Sequence, residues 1–105
     1  MGYYTGYTLK VDPGPAGPII DDLRRTCEDA EYALDANGNQ SELSKWYENE
    51  QDLREFSKLY PEHLFTLSGE GEEAGDVWKK YFKDGKCQVA KAVIAIAEFN
   101  PKKLA

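Results

Sequence analysis

The residues of this chain best suited to a task are carboxylates at helical spacing. Asp21, Asp22, Glu28, Asp29 and Glu31 fall in one amphipathic stretch, and Glu48, Glu50, Asp52 and Glu55 fall in a second. Such rows can enter a basic groove and stand in for the phosphates that the groove normally neutralises. The chemistry would be electrostatic recognition rather than bond making. Arg24, Arg25, Arg54 and Lys58 interrupt both rows, so plain solvation of two amphipathic helices is the competing account. Glu70, Glu72 and Glu73 form a third group within Gly69–Asp76. Carboxylates on a Gly-rich loop suit magnesium or calcium, a second protein contact, or a solvated sheet end that resists edge pairing. This loop does not cradle phosphate, because it lacks the lysine and the following helix.

Other constellations are weaker. Asp35 to Gln40 begins like a calcium loop, but Gln40 stands where Gly is needed and Trp46 where a bidentate Glu is needed. An Asn37-Gly38 turn explains it better. His63 is the sole histidine, and its separations from Cys27 and Cys87 match no compact zinc site. A Cys–His nucleophile would need a thiol beside that ring and an orienting acid. No catalytic residue, metal or cofactor is assigned, and the chain is expected not to be an enzyme. Lys79, Lys80, Lys83 and Lys86 surround Trp78, Tyr81 and Phe82, a mixture that can bind single-stranded nucleic acid. The net charge of −6 and a pI near 4.8 oppose that reading, so direct nucleic-acid contact is not expected.

Residues 1–60 hold twelve acids and six bases, and residues 61–105 hold seven of each. The whole negative balance therefore lies in the half that reads as helical, which is a statement about partners. A chain of 105 residues with 41% hydrophobic content is one domain with a core. No apolar run approaches the roughly 20 residues that span a bilayer. The N-terminus lacks a secretory pattern, and a cytoplasmic location with reduced cysteines is expected.

Tyr3 to Val11 alternates as a strand, and the Pro- and Gly-rich Asp12–Pro18 forms a connection. Spacing of Ile20, Leu23, Cys27, Ala30 and Leu34 predicts a helix from Pro18 to Ala36, with Asp21 and Asp22 facing its positive end. The alternative is a break near Asp29, with Tyr32–Trp46 forming an irregular or hairpin segment around Asn37-Gly38. A second helix follows from Asn49 as N-cap, with Leu53, Phe56 and Tyr60 inward, Leu59 beside them, and Pro61 as stop. From Glu62 the period shifts towards two. Val77–Lys83 and Cys87–Phe99 read as strands joined at Asp84-Gly85, with a preceding turn at Ala74-Gly75. The expected fold is α+β: a four-stranded antiparallel sheet with two helices on one face, in the order β-α-α-β-β-β.

Lys45-Trp46-Tyr47, then Leu53 to Pro61, then Phe65 to Glu73, Trp78 and Asp84-Gly85-Lys86 form a recognisable series. This W-Y, helix, S-x-x-Y-P, strand, G-E-G-E-E, W, D-G-K pattern resembles small phage and mobile-element proteins with ferredoxin-like sheets. The order of elements here departs from a true ferredoxin-like fold. The resemblance implies an inhibitor of a basic, nucleic-acid-handling host protein, anti-CRISPR proteins being one such class. A metal-dependent module at Gly69–Asp76 is the alternative. A homo-oligomer through the last strand is the third reading.

Overall fold

The computed structural model describes residues 4–72 and 76–91. The elements are β1 (Thr5–Asp12), α1 (Gly17–Thr26), α2 (Glu28–Ala33), α3 (Asn49–Ser57), β2 (Leu64–Gly71), β3 (Val77–Lys83) and β4 (Lys86–Lys91). The strands lie in the order β1-β2-β3-β4, each pair antiparallel. The fold is thus α+β, with helices layered on one face of a four-stranded sheet.

Strand alternation sorts the side chains. Tyr7, Leu9 and Val11 of β1, Phe65 and Leu67 of β2, and Phe82 of β3 are buried. They meet Ile19, Ile20 and Leu23 of α1, Ala30 and Ala33 of α2, and Leu53 and Phe56 of α3. Trp78 packs its ring over Gly69, where any Cβ would collide with it. Lys80 shares this inward face. Its ammonium donates to Asn49 Oδ1 at 2.7 Å, pairs with Glu50 at 3.2 Å, and lies 4.5 Å from the Trp78 ring centre.

The first helix is broken where the spacing predicted continuity. Cys27 is extended, with φ −130° and ψ 109°, and separates α1 from α2. Thr26 Oγ1 donates back to the carbonyls of Asp22 and Leu23, a bond that favours a helix end. Arg24 and Arg25 fall in the last turn of α1, and Glu28, Asp29 and Glu31 in the first turn of α2. Both placements suit the helix dipoles. Asp21 and Asp22 sit beyond the first turn of α1, not at its positive end.

Asn49 is the first residue of α3 rather than its cap. Its buried side chain donates to Trp46 O at 2.7 Å and accepts from Lys80. Leu59, expected beside the inward stripe, is 66% exposed. The helix closes on tighter turns, with Leu59 N donating to Phe56 O and Tyr60 N to Ser57 O.

Asp84 and Gly85 have φ of 48° and 80°, the paired positive values of a type I′ hairpin turn. Ser57 Oγ accepts from Gly85 N at 2.8 Å, fastening this turn to α3. The expected Ala74-Gly75 turn, and the last strand beyond Lys91, lie outside the described residues. Among the described residues no helix is long and apolar enough to cross a membrane.

Candidate functional site

The break at Cys27 turns α2 so that its acids face those of α3 across a groove of about 590 Å³. Glu28 and Asp29 line one side, Asp52 and Glu55 the other, over Leu23, Phe56 and Leu59. A second groove of about 620 Å³ shares Glu28 and Asp29 and adds Glu31, Glu42, Tyr4, Tyr32 and one cation, Lys45, whose ammonium lies 4.8 Å from the Tyr4 ring centre. Glu28, Asp29, Glu31 and Glu55 are exposed and form no ion pair with a described residue.

The remaining sequence candidates are placed differently. Asp22 is held by Arg25 at 3.3 Å and accepts from the Tyr60 hydroxyl at 2.9 Å. That bond raises the Tyr60 pKa, because losing the proton would set two negative oxygens together. Asp21 lies among Arg24, Arg25 and Glu31. Glu48 and Glu50 border Arg54, Lys58 and Lys80, a surface of mixed sign. Glu70 is exposed on the opposite side of the sheet. Glu72 accepts from Tyr4 N at 3.0 Å, and Glu73 lies outside the described residues. Among the described residues no three His, Cys, Asp or Glu side chains are grouped to hold a metal.

Asp52 is the structural member of the groove. One carboxylate oxygen accepts from Trp46 Nε1 at 2.8 Å and from Cys27 Sγ at 3.5 Å. Burial, reinforced by the charge of Asp52, pushes the Cys27 thiol from 9.0 up to about 11. Thiolate is the reactive form, so in a Cys87→Ser background Cys27 should react with iodoacetamide at pH 8 about 100-fold more slowly than a free thiol. A near-free rate would refute this environment. The folded pKa exceeds the unfolded one, so this group's contribution to stability is intact below about pH 9 and is lost as the pH rises towards 11.

His63 stands away from both thiols. Its Nδ1 lies 2.8 Å from Pro13 O, and since a carbonyl only accepts, that nitrogen carries the proton. Cys87 pairs across from Phe82 in β3, which in turn pairs with Phe65 in β2. A whole strand therefore separates Cys87 from the segment bearing His63, and they are not on neighbouring strands.

The sequence reading missed Glu42, Tyr4 and Tyr32 in the second groove. Glu42 lies in an irregular segment with no period to assign it a side. The division of β3 was legible: period two in Val77–Lys83 sets Trp78, Lys80 and Phe82 on one face and Val77, Lys79 and Tyr81 on the other, as the structure has it, with the first set inward and Lys83 beside the second. Family models, curated proteins and solved structures were each searched, and none matches this chain.

Proposed function

We propose that the chain is a non-enzymatic interaction protein whose α2–α3 surface occupies the basic groove of a nucleic-acid-handling protein and blocks it. One observation carries the reading. Glu28, Asp29, Glu31 and Glu55 are exposed, unpaired among the described residues, and linked through two adjoining grooves. Glu28, Asp29 and Glu31 suit the dipole of α2, but no described side chain pairs with them, and their combined field favours a cationic partner. A host-directed inhibitor of phage or mobile-element type, acting on a CRISPR effector or similar enzyme, is the setting that the resemblance implies.

The test uses immobilised chain and the heparin-retained fraction of a host lysate, which concentrates basic nucleic-acid-handling proteins. A protein of that fraction should be captured at low salt, released by high salt, and displaced by soluble heparin. The triple change Glu28→Lys, Asp29→Lys, Glu31→Lys should abolish capture, while Glu70→Lys should leave it intact. Capture that survives the triple change, or ignores salt, overturns the reading.

A further inference from the structure

The sheet face turned away from the helices carries the opposite sign. Alternation and register place Thr8 and Lys10 of β1, Thr66 and Ser68 of β2, Lys79, Tyr81 and Lys83 of β3, and Lys86 and Gln88 of β4 there, together with two acids, Asp12 at the end of β1 and Glu70 near the end of β2, so the four lysines leave the face net positive. Lys10, Lys79, Lys83 and Lys86 are all exposed, and none forms an ion pair with a described residue. Lys83 and Lys86 are direct cross-strand partners, an arrangement of like charges that costs folding free energy. Their positions are fixed by the type I′ turn and by the Ser57–Gly85 bond.

A concavity of about 410 Å³ adjoins this lysine pair, within the ~300–1,000 Å³ range of small-ligand sites. Tyr81, Leu64 and Pro61 supply its apolar lining, Lys83 and Lys86 its cations, and Asp84 one carboxylate. The geometry points to a nucleotide site for single-stranded nucleic acid: a base stacks against Tyr81 while Lys83 and Lys86 hold its phosphate. Lys79 stands about 7 Å along the strand from Tyr81, where it meets the next phosphate. Thr66 and Gln88, the cross-strand neighbours of Tyr81, offer hydrogen bonds to a base edge.

The chain's net charge of −6 averages over two unlike faces. The helical acids lie a full helix-and-sheet thickness away, about 10 Å or more, and the Debye length at 0.1 M salt is about 10 Å. The helical acids are therefore largely screened from the lysines, and of the acids on the sheet side Glu70 lies nearest Lys79 while Asp84 alone borders the Lys83–Lys86 concavity.

Fluorescence anisotropy with a labelled 12-nucleotide oligothymidylate tests the proposal. Binding should weaken about tenfold between 50 and 200 mM salt, as two or three phosphate contacts require. Lys83→Gln with Lys86→Gln should weaken it at least tenfold, and Tyr81→Thr about tenfold through lost stacking. The lysine variant should melt no lower than the parent, since it relieves a like-charge pair. Competition by thymidine monophosphate at millimolar concentration, but not by inorganic phosphate, would support a nucleotide site. No anisotropy change up to about 100 µM protein would overturn the proposal, as would binding that survives both variants. So would light scattering that shows the lysines joining two copies of the chain with the oligonucleotide making no difference.

Discussion

Trp46→Ala should bring this domain close to unfolding at 25 °C. Trp46 belongs to no helix or strand, yet it is completely buried. Its ring meets Tyr7 edge-on at 5.5 Å, its indole N–H donates to Asp52, and its carbonyl accepts from Asn49 at 2.7 Å. Truncating a buried Trp costs about 3–5 kcal/mol, and stranding the half-buried Asp52 carboxylate adds about 1–3 kcal/mol. Against a total stability of about 5–15 kcal/mol for such domains, the loss removes most of the margin. Trp46→Phe separates the two contributions. It keeps most of the volume, loses the donor, and should cost about half as much. Urea titration followed by circular dichroism measures both variants, with the remaining Trp78 as a fluorescent reporter. A midpoint within 0.3 M of the parent for Trp46→Ala, roughly the resolution of such a comparison, would show that the indole is not the keystone of the α2–α3 segment.

That keystone was only half legible in the sequence. Trp46 and Tyr47 both stand just before α3, where either could staple the entry of the helix, yet Tyr47 is 68% exposed and Trp46 fills the core. Nothing in a non-periodic stretch reveals which of two adjacent aromatics turns inward. The sheet was far more legible. Period-two alternation and the Asp84-Gly85 signal specify β3 and β4 locally, and a one-residue slip would expose Phe82 and Trp78. The helix break at Cys27 agrees with the alternative of a break near Asp29 and not with the continuous helix that the spacing favours, because Ile20, Leu23, Ala30 and Leu34 stay in phase across it. Charge order held the missing clue: Arg24-Arg25 followed by Glu28-Asp29 is a helix C-terminus followed by an N-terminus. The break also decides the site. A continuous helix would have carried Glu28 and Asp29 along α1, away from the groove with Asp52 and Glu55.

Gly38→Ala is the second substitution with a large expected effect, and it acts on the segment that carries the second groove. Residues between α2 and α3 run along β1: Leu9 N donates to Gly38 O at 2.7 Å, and Thr5 and Ser44 exchange backbone hydrogen bonds at 2.9 and 3.0 Å. Asp35 Oδ1 accepts from Asn37 N and Asn39 N, an Asx turn that delivers Gly38 at φ 82°. A Cβ there would strike the Leu9 carbonyl oxygen and Ile20 Cδ1. The left-handed backbone alone costs a non-glycine residue about 1–2 kcal/mol. The collision is with backbone, so the segment must lift and give up its bond to Leu9, for a total near 3 kcal/mol. Gly17→Ala is the matched control, since nothing lies within 4 Å of its added carbon and it should be neutral or slightly stabilising. Lifting the segment also uncovers the edge of β1, and an uncovered edge templates pairing between chains. Gly38→Ala should therefore both lower the urea midpoint and raise light scattering on concentration, while Gly17→Ala does neither. Equal midpoints for the two variants would mean that the segment merely rests on the sheet and does not hold Glu42 and Lys45 in place beside the acids of α2.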